Sequence, residues 1–211
     1  MWKRGLSHEG LKFIACMAML LDHIGIIMHL RWLRIIGRLA FPIYCFLLVE
    51  GARHTRSPGK YALRLLICGL LSEIPFDLFC RQGWGSQNVM FTLLLGFGML
   101  YAAERSGNWP EKIAAAVICA CLAELLQVDY GAAGILIIAV FAWVDEIWLQ
   151  AGLLLIVSVL YGGRIQSFAV FSILPTLLYS GEKRTGSRAV QWGFYLFYPV
   201  HMLLLYFVRY I

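Results

Sequence analysis

Long apolar runs alternate with short polar punctuation along this chain, and the runs have the length of bilayer-crossing helices. A hydrocarbon core of about 30 Å takes about 20 predominantly apolar residues in helical form. Runs approaching that size occupy 11–30, 33–52, 61–79, 89–103, 113–128, 131–144, 147–160, 165–179 and 192–210. The pattern predicts an all-α, polytopic transmembrane bundle with a single domain over 1–211. The runs at 113–128, 131–144 and 147–160 are short and closely spaced, so eight spans, nine, or at the outside ten satisfy it. Pro42 is expected to kink the second span and Pro75 the third, because proline removes a backbone donor from a helix interior. Aromatic residues crowd the last run, as they do at membrane interfaces.

The first run contains Lys12, Asp22 and His23 and no small-residue cleavage site, so it reads as a retained span rather than a signal peptide. Lys and Arg are distributed unevenly over alternate loops. Lys3, Arg4, Arg53, Arg56, Lys60, Arg105, Lys112, Lys183, Arg184 and Arg188 fall on one side, and Arg31, Arg34, Arg81, Arg164 and Arg209 on the other. That bias predicts a cytoplasmic N-terminus.

Composition supports the membrane reading: 61% of residues are hydrophobic and 14% charged, where a soluble domain carries about a quarter charged. The net charge of +6 sits in short loops and therefore points to topology and an anionic ligand, with no nucleic-acid partner. The six cysteines have no CxxC spacing and read as small apolar residues, giving neither a disulfide framework nor a metal site.

The chemistry lies in the ionisable residues inside apolar runs, each costing about 2.5–3.5 kcal/mol at a helix centre. They are Lys12, Asp22, His23, Arg38, Glu50, Arg64, Glu73, Asp77, Glu124 and His201. Such a set demands mutual pairing around a polar cavity, although Lys12, Arg64 and Asp77 lie near run ends where snorkelling to the headgroups is an equal alternative. Lys12 and His23 are eleven residues apart, which places them on one helix face about 16 Å apart along the axis. Asp22 either forms a neighbouring stripe with His29 or orients an imidazole from another helix. Glu73 and Asp77 flank Pro75 and act either as a general base or as structural counter-ions for Arg38 or Arg64. Arg53, Arg56, Lys60 and Arg64 suit a phosphate clamp or a positive-inside anchor. Arg34 and Arg38, four apart, are further contacts for phosphate or carboxylate.

LKFIACMAMLLDHIG at 11–25, IGRLAFPIYCFLLVEG at 36–51, TRSPGKYALRLLICGLLSEIPFDL at 55–78, NVMFTLLLG at 88–96 and FYLFYPVHMLLLY at 194–206 resemble the TraX family. The founding members of that family are conjugal pilin acetylation proteins of the bacterial inner membrane. Residues 97–190 share only its hydropathy. A wider similarity is to integral-membrane acyltransferases, whose first helix carries a basic residue, ten intervening residues and a histidine. Lys12 and His23 stand in that arrangement, with Lys where Arg is usual, which loses the bidentate fork. The Tyr-x-x-His at Tyr198 and His201 is also similar to those enzymes.

The resemblance implies transfer of an acetyl group from cytoplasmic acetyl-CoA to an amine or hydroxyl. The acceptor is a pilin N-terminus by family, with a glycan or lipid left open, and the surrounding membrane lipid is a further partner. His23 inherits the role of base or acetyl carrier. Asp22, Glu50 or Glu73 would set its tautomer, Arg38 would stabilise the oxyanion, and Lys12, Arg34, Arg53, Arg56, Lys60 and Arg64 would contact the CoA phosphates. His201 and Tyr198 would complete the cavity, with Asp77, Asn88 and Thr92 as polar substrate contacts. The rival reading is a proton- or ion-coupled transporter using the same buried His, Glu and Asp residues. A non-catalytic scaffold is a third.

Overall fold

The computed structural model describes residues 5–80, 85–181 and 187–210. The described residues form helices and contain no strand beyond two isolated bridges. Helix α1 spans His8–Ile27, with Ser7 accepting a hydrogen bond from the Gly10 amide at 3.1 Å to cap it. His29, in a left-handed conformation (φ 55°), turns the chain into the short α2, Arg31–Gly37. Next come α3 (Ala40–His54), α4 (Pro58–Cys80) and α5 (Val89–Ser106). Helix α6 (Trp109–Leu125) starts on an Asn108 cap, and it leads into α7 (Gly131–Trp143) and α8 (Ile147–Gln166). A 3₁₀ turn at Ser167–Ser172, the five-residue α9 (Ile173–Leu177) and α10 (Arg188–Tyr210) complete the described chain.

Three stretches, His8–Ile27, Arg31–His54 and Ile147–Leu177, are long and apolar enough to cross a membrane, which makes this a membrane protein. The backbone corrects two expectations about the runs. Pro42 does not kink the second run. The break falls upstream at Arg38–Leu39, and Pro42 sits in the first turn of α3, where its missing amide would have had no helical partner anyway. The run at 165–179 forms no regular helix of its own. Gly163 leaves helical geometry (φ 64°, ψ −157°), and residues 167–179 form only a 3₁₀ turn and one short helix.

Helix α7 is the centre of the bundle. Nine of its thirteen residues are buried, from Ala132 through Phe141, and it packs on α3, α5, α6 and α8. An all-round apolar helix belongs in an interior. The large apolar side chains left exposed lie mainly on α4, α6, α8 and α10, among them Leu70, Ile118, Leu160 and Leu204, as a lipid-facing surface requires.

Two backbone ties fix the ends of the bundle. At one end the Leu6 amide donates to the Leu178 carbonyl (2.6 Å) and the Ser180 amide donates to the Leu6 carbonyl (3.0 Å). At the opposite end the Gln87 amide donates to the Gln127 carbonyl (3.0 Å) and the Asp129 amide returns a bond to the Gln87 carbonyl (2.8 Å). Helices α1 and α10 run parallel between these ends, with Lys12 over the Phe194 ring near the first and His23 against His201 toward the second.

Candidate active site

A cavity of about 1060 Å³ runs through the bundle, at the upper limit of about 300–1,000 Å³ typical for small-molecule sites. Near the first end its wall holds His8, Lys12, His54, Arg56 and Arg64; toward the opposite end it holds Asp22, His23, Arg34, Arg38, Asp129 and Gln166. Both Lys12 and His23 line it, so the face inferred from their eleven-residue spacing is the cavity face of α1, and the cavity extends at least about 16 Å along that helix.

His23 Nδ1 lies 2.7 Å from His201 Nε2, and the two rings stack at 4.9 Å between centroids. His201 Nδ1 lies 2.7 Å from the Phe197 carbonyl oxygen, four residues earlier on α10. A carbonyl only accepts, so His201 carries its proton on Nδ1 and presents a lone pair at Nε2. His23 must then donate from Nδ1, which leaves its own Nε2 as an unprotonated base. His201 is 4% exposed and stands behind His23, outside the cavity lining, while Tyr198 one turn earlier lines it. The partner that sets the tautomer of His23 is therefore a histidine; Asp22, Glu50 and Glu73 are engaged elsewhere.

Asp22 is bound to Arg38, whose other terminal nitrogen donates to Gln166 Oε1 at 2.9 Å. The guanidinium is thus held from α1 and α8 at once. Gly37 makes this possible, because a Cβ there would stand 2.3 Å from Asp22 Cβ. Glu50 pairs with Arg53 at 3.3 Å and also lines the cavity.

Several residues singled out from the sequence are not brought to the cavity. Arg53 turns outward to donate to the Ala142 carbonyl at 3.0 Å, and Lys60 is exposed in the first turn of α4; of that basic group only Arg56 and Arg64 face the cavity. Arg34 does line it, but at the end remote from Arg56 and Arg64. Asn88 caps α5: its Oδ1 accepts from the Met90 amide at 3.0 Å, and its Nδ2 donates to the Gly69 carbonyl at 2.8 Å and to Glu73. Asn88 and Glu73 are both spent tying α4 to α5. Thr92, with 0% exposure, donates to the Asp129 carbonyl. Asp77 lies outside the cavity lining, with one carboxylate oxygen buried and unpaired.

The structure adds Asp129, which sequence reasoning missed. It lies between α6 and α7, in a loop strained by left-handed Gln127 (φ 50°) and Tyr130 (φ 65°), and its Oδ1 accepts from the Tyr130 amide at 3.1 Å. Burial pushes its carboxyl up to about 6 despite that hydrogen bond and the nearby Arg38. The only sequence signal was a lone acid between two apolar runs. Glu124, one of the ten ionisable residues within apolar runs, is exposed; it accepts from the Ala132 amide at 2.7 Å and so caps α7. Among the described residues no cluster of His, Cys, Asp or Glu is arranged to hold a metal ion.

A helical membrane protein whose charged interior cavity presents a histidine base backed by a second histidine is the class that fold and site define. The family model described as TraX protein matches residues 7–209, and the chain belongs to the TraX family. The chain is 34% identical to a probable fimbrial assembly protein FimC, serogroup H1, of Dichelobacter nodosus, over 92% of each chain. It is 27% identical to Protein TraX of Escherichia coli, over 97% of this chain and 87% of that one. No solved structure matches.

Proposed function

We propose that the chain is an integral-membrane acyltransferase that moves an acetyl group from acetyl-CoA to an amine or hydroxyl acceptor. The observation that carries this reading is the proton order along Phe197 O, His201 and His23, which leaves His23 Nε2 as a base facing a cavity with a basic mouth. The TraX and fimbrial-assembly names of its relatives favour a pilus or fimbrial subunit as acceptor.

In this mechanism the CoA phosphates meet Lys12, Arg56 and Arg64 at the basic mouth, and the thioester reaches inward to His23. His23 Nε2 takes the acceptor's N–H or O–H proton as the acceptor lone pair attacks the thioester carbon. The carbonyl π pair moves to oxygen, where Arg38, held by Asp22 and Gln166, offsets the developing negative charge. Collapse of the tetrahedral species breaks the C–S bond, and the proton on Nε2 passes to the departing thiolate. His201 stabilises the transient imidazolium by accepting from Nδ1 throughout. The basic mouth faces the cytoplasm, where acetyl-CoA resides, in a multi-pass arrangement in the bacterial inner membrane.

The test uses the full chain in lipid nanodiscs with acetyl-CoA and a panel of amine and hydroxyl acceptors, reading acceptor-dependent CoA release and acetyl mass gain. His23→Ala protein that inserts normally is expected to lose transfer; wild-type turnover in that variant would refute the reading. Proton flux into liposomes without acetyl-CoA would favour transport instead.

A further inference from the structure

Among the described residues four acids line the cavity, and three of them are engaged. Asp22 holds Arg38, Glu50 pairs with Arg53 at 3.3 Å, and Glu124 caps α7 through the Ala132 amide. Asp129 is the fourth, and every bond it makes serves to fix it. Its amide donates to the Gln87 carbonyl at 2.8 Å, its carbonyl accepts from Thr92, and its Oδ1 accepts from the Tyr130 amide at 3.1 Å. The backbone around it is left-handed at Gln127 and Tyr130, neither of them glycine, and such strain persists where the surroundings over-determine a geometry. Oδ2 is left over: it has no partner among the described residues and, unlike Asp22 Oδ1, it is not sealed. The carboxyl is enclosed by protein, so the surface it keeps is cavity surface.

The groups around Asp129 place it at the same end of the cavity as the histidine base. Arg38 lies within electrostatic reach of both His23 and Asp129. Phe79 packs on the His23 ring at 5.0 Å between centroids, and its neighbour Cys80 lies within reach of Asp129. Tyr198 does so from α10, one turn before His201. Asp22 and Tyr130 are the other titratable groups about it. None of these neighbours offers Oδ2 a free cation: Arg38 is paired with Asp22, and Arg34, at the same end, forms no ion pair with Asp129. An ionised carboxylate oxygen without a partner inside a membrane protein is costly, and a cationic ligand relieves that cost.

We infer that Asp129 Oδ2 binds the ammonium group of a primary-amine acceptor and takes its first proton, so that His23 acts on a neutral amine. The proton step rests on the acyltransferase reading; the ammonium subsite does not. An ammonium nitrogen has no lone pair, so one N–H bond must break before that nitrogen attacks the thioester carbon. The electron pair stays on nitrogen and the proton bonds to Oδ2. His23 Nε2 then takes a second proton during attack and returns it to the CoA thiolate. The Asp129 proton is the one released to water, as acetylation removes the charge of the amine. Burial favours this exchange: a carboxyl raised to about 6 stands about 2 below an α-amine near 8, where an exposed aspartate would stand about 4 below it.

The probes are glycinamide and glycolamide, one skeleton carrying an ammonium in the first and a hydroxyl in the second. Thermal unfolding of the detergent-solubilised full chain is followed at neutral pH without acetyl-CoA. Glycinamide is expected to raise the unfolding temperature and glycolamide to leave it unmoved, a comparison made within the wild type and so independent of how any variant folds. Asp129→Asn, whose Oδ1 can still accept from the Tyr130 amide, should weaken glycinamide about 10–100-fold, the loss of a hydrogen bond to a charged group. Glu124→Gln should keep the wild-type response. With acetyl-CoA present, Asp129→Asn should raise the KM for glycinamide and leave the donor KM unchanged. Equal stabilisation by glycolamide, no response to glycinamide in the wild type, or an undiminished response in Asp129→Asn would overturn the inference, whatever acceptor-dependent CoA release shows about transfer. Binding of glycinamide that depends on Asp129, without any CoA release, would uphold the subsite and sink the transferase reading.

Discussion

Gly37→Ala is the sharpest single perturbation of this architecture. The new methyl carbon would stand 2.3 Å from Asp22 Cβ and 2.7 Å from both Asp22 Cα and Oδ1. Carbon atoms rest at about 3.5–4.0 Å, so the end of α2 must retreat from α1 by about 1.2 Å or more. The obstruction is backbone and a buried side chain, and no flexible tip can swing aside. Overpacking of this kind costs about 1–3 kcal/mol. The retreat also pulls Arg38 from Asp22, and a buried pair that loses one partner costs about 3–5 kcal/mol when fully broken. Partial separation places the total at about 2–4 kcal/mol. The assay is thermal unfolding in detergent beside Gly98→Ala, where an added Cβ meets nothing within 4 Å. Gly37→Ala should unfold several degrees below wild type while Gly98→Ala stays close to it. Equal behaviour of the two variants would refute the claim that Gly37 sets the α1–α2 contact.

Replacing His201 by Phe keeps the ring but leaves His23 Nδ1–H without an acceptor; transfer should fall about 10²–10⁴-fold with donor KM little changed, and His201→Gln, whose amide oxygen accepts, should recover part of kcat. Arg56→Gln with Arg64→Gln should raise donor KM, whereas Arg53→Gln with Lys60→Gln, off the cavity, should not; equal effects would dissolve the distinction between the two halves of that basic group. Asp129, with a carboxyl raised to about 6 against about 3.9 in an unfolded chain, contributes most below pH 4 and loses that contribution as pH rises through 6. Asp129→Asn should flatten the fall in unfolding temperature between pH 4 and 7, and an unchanged slope would contradict the burial assigned to it. Glu124→Ala removes the cap on the Ala132 amide and should cost about 0.5–2 kcal/mol, read as earlier unfolding that Glu124→Gln largely avoids.

Much of this protein is legible along the chain because a bilayer makes single-residue statements expensive. Runs of about 20 apolar residues can only be buried helix, and an ionised group inside one must be accounted for. Periodicity alone placed Lys12 and His23 on one face, since both belong to one continuous helix whose geometry is fixed locally. Where a feature depended on two segments meeting, the sequence was silent. Glu73 reads as chemistry because it is an acid in an apolar run, and Asn88 as a polar contact just ahead of the next run; only their mutual hydrogen bond, fifteen residues apart, shows that they are spent on the α4–α5 junction.

The sequence by itself therefore determined that this is a helical membrane protein of the TraX type, with a cation–imidazole face, Lys12 and His23, on its first helix. Tertiary structure decided which partner each buried charge received. It set His201, 178 residues distant, behind His23, and brought Gln166 to Arg38 across 128 residues. It also raised Asp129 from an unremarked loop acid to a wall of the cavity. Helix geometry is written in spacing a few residues long, whereas the cost of an unpaired buried group is met by whichever side chain the packing of other helices delivers.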